Sequence, residues 1–456
     1  MKIQPHKYQI GAVHHCIEND KAALFLDMGL GKTVIVLTAF KNLLKNKKTK
    51  GILIIAPLRV VYNVWPQEIK KWDHLRELSF GILHGPDKDK VLKQKHDVYI
   101  TNYESIKWLY TKLRRKPHSK IPFDMVAIDE STAIKSRTTK RFSMLRSMSP
   151  IFKRRIIMTG TPAPNSLLDL WAQYFFLDQG ARLYGSWYTF RDKYFYQADY
   201  HGYEWEPVLK ATAKISKRVQ DITIRLRAED YLDMPEKVLY DITCTMPKKV
   251  KQQYQFLESE FILHCQEGTV TAANAAVLSN KLRQFVAGRM YDEDGGIVNI
   301  HNEKLEALGE AVESNADEPL LIAIQFRYEY EMIKKVLPNV PVIYGGVGVK
   351  RSNRLIKQWC EGKLPQLVVH PLSIAHGVNL QTGGRRLIWY SIPWSFEQYY
   401  QLIGRLYRQG QPKPVMIGHI ILKDSIDLRV LKVLQRKEET EESFLKLFVR
   451  DIRKTK

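Results

Sequence analysis

At 456 residues the chain is long enough for two or three domains, each with a hydrophobic core of its own. Lys plus Arg number 71 against 48 Asp plus Glu, a formal net charge of +23. A surplus of this size favours a polyanionic partner, nucleic acid first and an anionic membrane surface second. No apolar stretch reaches the roughly 18 residues that a membrane span needs, and the opening MKIQPHKYQIG lacks the apolar core of a signal peptide. The 4 cysteines, Cys16, Cys244, Cys265 and Cys360, make no C-x-x-C pair. A zinc knuckle is therefore not expected, and all four read as packing residues in a reducing compartment. A soluble, cytoplasmic protein is the expectation.

Short apolar runs then alternate with helical patterns. AALFLD (22–27), GILIIAP (51–57), DVYIT (97–101), DMVAIDE (124–130) and RRIIMTGTP (154–162) read as buried strands. Continuous apolar strands with helices between them predict a parallel sheet covered on both faces. The pattern restarts with PLLIAIQF (319–326), VPVIYGG (340–346), PQLVVHP (365–371) and RRLIWYSIP (385–393). Between the two series, GSWYTFRDKYFYQADYHGYEW (185–205) is rich in aromatics, and KKVKQQYQFLESEFILHCQ (248–266) reads as a helix. The aromatics could stack on bases, but the core of a helical insertion is the preferred reading.

The predicted fold class is α/β, with two parallel-sheet lobes in tandem and helical insertions between them. The first lobe is expected over 1–235, with its insertion from about 165. The second is expected over 236–456, with a protrusion at about 245–290 and a closing helix at about 424–456.

Ligands on such sheets gather at the carboxyl ends of the strands, and the candidate chemistry lies there. DMGLGKT (27–33) follows a predicted strand and opens the predicted helix TVIVLTAFKNLL (33–44). A phosphate loop needs backbone N–H groups, a helix N-terminus and a lysine. Gly29 and Gly31 would let the backbone approach, Lys32 would reach the β- and γ-phosphates, and Thr33 would hold Mg²⁺. The usual first glycine would stand at position 26, where this chain has Leu26. Asp129 and Glu130 end another apolar run; Asp129 is assigned to the metal and Glu130 to the attacking water. In QLIGRLYRQG (401–410), Arg405 and Arg408 are three apart. On one helical face they could both reach the charge that builds up in phosphoryl transfer. Such a site would be completed by residues from both halves of the chain.

Read in order, these segments resemble a helicase-superfamily-two motor, specifically its Swi/Snf-type branch. PHKYQIGAV (5–13) resembles the Q motif, which implies Gln9 on the adenine with Tyr8 nearby. DMGLGKT resembles motif I, APLRVVYNVWPQEIKKW (56–72) motif Ia and ITNYESI (100–106) motif Ib. MTGTPAPNSLLDLW (158–171) closely matches motif III, and IAIQFRYE (322–329) is similar to motif IV. HPLSIAHGVNLQTG (370–383) resembles motif V and QLIGRLYRQGQ (401–411) motif VI. TIRLRAEDYLDMPEKV (223–238) is similar to the segment that joins the lobes.

The resemblance spans nearly the whole chain. It implies two RecA-like lobes that bind ATP and Mg²⁺, with DNA running across both. It further implies that Thr159 and Thr161 couple nucleotide to DNA. Gly377, Asn379 and Gln381 would sense both ligands, with Gln401 beside the arginines at the nucleotide. Arg59, Asn102, Tyr103 and basic residues near 349–354 are the expected phosphate contacts, with little base readout. Two departures stand out. Ser131 and Thr132 replace the G-H of motif II, and Tyr407 replaces a common His. The first implies that a contact made by that histidine is absent or supplied elsewhere.

The implied activity is a DNA-dependent ATPase that translocates, on duplex DNA rather than single strands. A strand-separating helicase is an alternative; so is an ATP-switched clamp on DNA or a partner that does not step. The chain resembles a compact bacterial or phage motor, expected in the bacterial or host-cell cytoplasm. It is expected to act as a monomer, with an unidentified protein to direct it.

Overall fold

The computed structural model describes residues 2, 4–198, 205–266, 272–292, 294–314, 317–374 and 378–446. The chain divides into unit 1, Met1–Leu232 with Lys437–Lys456, and unit 2, Asp233–Arg436.

In unit 1 the strands are β1 (Lys21–Leu26), β2 (Ile52–Ala56), β3 (Phe80–Ile82), β4 (Val98–Asn102), β5 (Met125–Asp129) and β6 (Arg154–Thr159). A small antiparallel hairpin, β7 (Phe195–Gln197) and β8 (Trp205–Pro207), precedes β9 (Thr223–Leu226). Seven strands make one sheet in the order β3-β4-β2-β5-β6-β1-β9. Every pairing in it is parallel. The five expected strands are its interior. They are buried almost throughout, as a sheet covered on both faces requires. Helix Lys32–Lys45 follows β1 and buries Val34, Ile35, Val36, Leu37 and Phe40.

Residues 199–204 of the aromatic segment lie outside the described residues; the rest packs largely into the core. Phe190, Tyr194 and Phe195 belong to the main cluster, with Trp187 and Trp205 against it. Tyr188 and Tyr196 stay exposed. Arginines cover the rings: Arg191 lies 3.9 Å from the Trp205 centroid and Arg137 lies 4.3 Å from that of Trp187.

Unit 2 repeats the architecture. Its strands are β10 (Lys237–Cys244), a small pair β11 (Arg289–Tyr291) and β12 (Ile297–Asn299), β13 (Leu320–Ala323), β14 (Val342–Ile343), β15 (Gln366–Val369), β16 (Arg386–Trp389) and β17 (Val415–Leu422). Six form a sheet in the order β10-β17-β16-β13-β15-β14, again wholly parallel. Alternate residues face opposite ways along each strand. Leu321, Ala323, Leu367 and Val369 enter one core cluster, while Leu320, Ile322 and Val368 enter another. The segment 248–266 is helical, as expected, over Lys248–Gln266. The last described helix is Ile426–Lys446. Among the described residues no helix is long and apolar enough to cross a membrane.

Candidate active site

In unit 1 the candidate residues converge through the sheet topology. β6 lies between β5 and β1. Its last residue, Thr159, is in register with Phe25 of β1, and Asp129 at the end of β5 is in register with Met158. The phosphate loop, the acidic pair and Thr159–Thr161 therefore leave three adjacent strand ends on the same edge.

The loop turns on two glycines. Gly29 and Gly31 have φ of 92° and 81°, a left-handed backbone that glycine adopts without steric cost. A Cβ on Gly31 would come within 2.7 Å of Gln9 Nε2. Leu26 causes no strain, because it is still strand and its side chain is buried in the sheet. Its carbonyl accepts a 2.8 Å hydrogen bond from Lys32 Nζ. Thr33 stands half-buried in the first turn of the helix. Gln9 borders the loop, with Nε2 3.4 Å from the Leu30 carbonyl. The Tyr8 ring packs 4.9 Å from that of Tyr231. An apolar pocket beside Gln9 is lined by Pro5, Ile10, Val13, Val34 and Ile35.

The acidic pair is held by groups that sequence reasoning did not assign to it. Trp65 Nε1 donates to Asp129 Oδ2 at 3.1 Å. Tyr103 turns inward and its hydroxyl donates to the carbonyls of Asp129 (2.6 Å) and Glu130 (3.0 Å). Glu130 is left-handed at φ 56°, ψ 62°, a conformation that costs a non-glycine residue about 1–3 kcal/mol and persists only where its surroundings fix it. Its Oε2 accepts from Thr159 Oγ1 at 3.3 Å, and Thr159 Oγ1 accepts from the Thr161 amide at 3.1 Å.

The electrostatics tie the loop to the pair. Burial lowers the Lys32 pKa, and the charges of Glu130, Asp129 and Asp27 oppose that shift. Burial and the neighbouring Glu130 raise the Asp129 pKa, against the pull of Lys32 and the Trp65 hydrogen bond. A carboxylate held in so dry a place gains from an added cation. Among the described residues no group of three or more acidic, His or Cys side chains forms a metal cage. Mg²⁺ takes one or two protein oxygens and fills its shell with phosphates and water; a carboxylate such as that of Asp129, at its strand end, is the kind of oxygen donor it takes.

The expected nucleic-acid contacts differ among themselves. Arg59 is half-buried, and its Nη1 finds no hydrogen-bond partner among the described residues. Asn102 and Tyr103 are 2% and 6% exposed. Asn102 binds Glu104 at 2.7 Å and Tyr103 holds the acidic pair, so both side chains offer little surface to a phosphate.

In unit 2 the arginines depart from the helical-face expectation. The helix Phe396–Ile403 ends at Gly404. Arg405 and Arg408 follow on turns, because the chain tightens at once: Arg405 N bonds to Leu402 O and Leu406 N to Ile403 O, each at 3.0 Å. Arg405 is 5% exposed and donates to the Val378 carbonyl at 3.1 Å. Arg408 Nε donates to Gly404 O at 2.7 Å, and burial lowers its pKa to about 10. Gln401 is buried near Glu397. Asn379 Oδ1 accepts from the Gln381 amide at 3.3 Å, and Gln381 Nε2 donates to Gln409 O at 3.0 Å. Gln411 Nε2 donates back to Gln381 O at 2.8 Å. The motif V and motif VI segments are thus laced together within the unit. Gly377 lies outside the described residues.

A glycine-turned loop with a lysine, set beside an acidic pair at the ends of parallel strands, defines a P-loop nucleoside triphosphatase. The SNF2-related domain family matches residues 8–288, and the helicase conserved C-terminal domain matches residues 303–410. The chain is 33% identical to protein p41 of Acyrthosiphon pisum secondary endosymbiont phage 1, over 98% of this chain and 99% of that one. It is 24% identical to YwqA of Bacillus subtilis, whose name describes an ATP-dependent helicase/translocase, over 91% of this chain and 46% of that one. It is 23% identical to the Saccharomyces cerevisiae DNA repair and recombination protein RDH54, over 94% and 52%. The chain belongs to the SNF2-related, Swi/Snf-type ATPases of helicase superfamily two. It spans about half the length of YwqA and of RDH54.

Proposed function

We propose that this chain is an ATP-driven motor that translocates on duplex DNA without sequence preference. The observation that carries the reading is the clustering of Lys32, Asp129 and Glu130 at neighbouring strand ends, where Lys32 feels the charge of both carboxylates. ATP enters with its base in the apolar pocket beside Gln9 and its phosphates on the loop. Lys32 exchanges its hydrogen bond to the Leu26 carbonyl for one to phosphate. Glu130, fixed in its left-handed turn, accepts a hydrogen bond from water and aims it at the γ-phosphorus. The new P–O bond forms as the bond to ADP breaks. Thr33 and Asp129 would hold Mg²⁺, which would supply charge neutralisation for phosphoryl transfer. Arg405 and Arg408 stabilise charge on the transferring group. Gln401, Gly377 and Asn379 are assigned to nucleotide binding with them.

The nucleic-acid reading rests on charge. A net +23 suits a phosphate backbone. Arg59 is half-buried and so keeps part of its side chain open to a phosphate. Lys350, Arg351 and Arg354 are exposed on the helix Val349–Cys360, with no carboxylate partner among the described residues. Contacts of this type grip any sequence. Thr159, Thr161 and Gln381 would then report nucleotide state to the gripping surfaces. The names of YwqA and RDH54 agree with a translocase acting on DNA.

ATPase rates with no nucleic acid, single-stranded DNA, duplex DNA and RNA test this reading. Stimulation greatest with duplex DNA, together with displacement of a triplex-forming strand, is the expected result. Turnover indifferent to DNA would overturn it.

A further inference from the structure

Ser131 stands where the family's motif II has glycine, directly after Glu130. Its side chain is fully buried, and its hydroxyl donates to Gln173 Oε1 at 2.6 Å. Gln173 lies on the helix Leu170–Asp178, and every residue from Leu170 to Leu177 on that helix is buried. Its Nε2 donates to the Pro162 carbonyl at 2.7 Å and to the Asp169 carbonyl at 2.9 Å. The amide cannot flip, because its oxygen would then face two carbonyl oxygens. A polar group buried without a partner is costly, and a fully paired one is rigid. This one spans from the residue after Glu130 to the residue after Thr161.

A second link runs in parallel, from Thr159 Oγ1 to Glu130 Oε2 at 3.3 Å. Among the described residues, a flexible carboxylate and a locked amide both tie the end of motif II to motif III. With Ser131 and Thr132 in place of the Gly-His pair, the locked amide is a link that this chain supplies itself.

We propose that Gln173 is a positioning residue: through Ser131 it sets the Glu130 turn relative to Thr159–Thr161. It thereby couples hydrolysis to the nucleic-acid state of unit 1. The proposal rests on the roles given to Glu130, Thr159 and Thr161 under the proposed function. Loss of the link leaves the phosphate loop untouched, so ATP still binds. What changes is the rate at which bound ATP is hydrolysed once DNA is engaged.

The test uses the full chain with Ser131→Ala, Gln173→Met and the double variant. Thermal midpoint, KM for ATP, and kcat with and without saturating duplex DNA are measured for each. KM should stay within about twofold, while the DNA-stimulated kcat falls about tenfold in each single variant, the scale of an inter-site coupling. The double variant should be no slower than Gln173→Met, because both substitutions cut one link. Ser131→Ala removes a single hydroxyl, so it decides the matter alone if Gln173→Met unfolds. Wild-type kcat in both variants, or losses that simply add, would overturn the relay. A wild-type chain unresponsive to duplex DNA would instead overturn the functional reading beneath it.

Discussion

Asp27 and Arg225 form a buried ion pair, 2.7 Å from carboxylate to guanidinium, where the phosphate loop leaves β1. The other Asp27 oxygen accepts the Ala228 amide at 2.9 Å, and Arg225 Nη1 donates to the Phe25 carbonyl at 2.9 Å. Arg225 sits in β9, the edge strand paired with β1. Through Arg225 the joining segment thus pins the root of the loop.

Arg225→Met should destabilise unit 1 by about 3–5 kcal/mol, because it leaves the Asp27 carboxylate buried and unpaired. Urea unfolding of the variant beside wild type measures this. A loss below about 1 kcal/mol, the scale of an exposed pair, would show that the carboxylate finds water or another partner.

Gly31→Ala combines two penalties, a left-handed φ of 81° and a Cβ 2.7 Å from Gln9 Nε2. We expect ATP affinity to fall about tenfold or more, since a change of about 1.4 kcal/mol already does this. Isothermal titration with a non-hydrolysable ATP analogue checks it. Unchanged affinity would mean that the loop reshapes freely around Gln9.

Lys32→Ala should lower turnover at least about a hundredfold while ATP-independent DNA binding persists. Glu130→Gln should bind ATP and barely hydrolyse it. Retained turnover in the first variant would remove Lys32 from the site.

His301 in unit 2 carries a pH dependence. Burial first, then the charge of Lys304, lowers its pKa from the usual 6.5 to about 4. Its Nε2 lies 3.0 Å from the Phe285 carbonyl. A neutral ring can donate there. A histidine depressed in the folded state binds fewer protons than in the unfolded chain. Its contribution is therefore complete above pH 6.5 and is lost as pH falls towards 4. The unfolding midpoint of wild type should decline faster than that of His301→Gln between those values. Parallel profiles would show that His301 titrates normally.

The parts of the fold that were legible share a physical cause. Interior strands of a parallel sheet are apolar on both faces, so β1, β2, β4, β5 and β6 stand out as continuous runs. β3, β9 and β10 are edges, short or polar on one side, and carry no such signal. In β17 the apolar run is interrupted by Gly418 and His419. The phosphate loop was legible because its residues are contiguous. Asp27–Arg225 and Ser131–Gln173 were not, since each joins distant segments and neither sequence position predicts its partner. The arginines of 401–411 were visible as residues, but the end of their helix at Gly404 depends on local turns that periodicity does not report.

The central claim is that Lys32, Arg405 and Arg408 each serve ATP hydrolysis. It is tested most directly by turnover and nucleotide affinity measured together in Arg405→Ala and Arg408→Ala, with saturating duplex DNA. The account predicts ATP binding retained and turnover lowered about a thousandfold, as removal of an arginine finger does. Both variants hydrolysing ATP at the wild-type rate would contradict it.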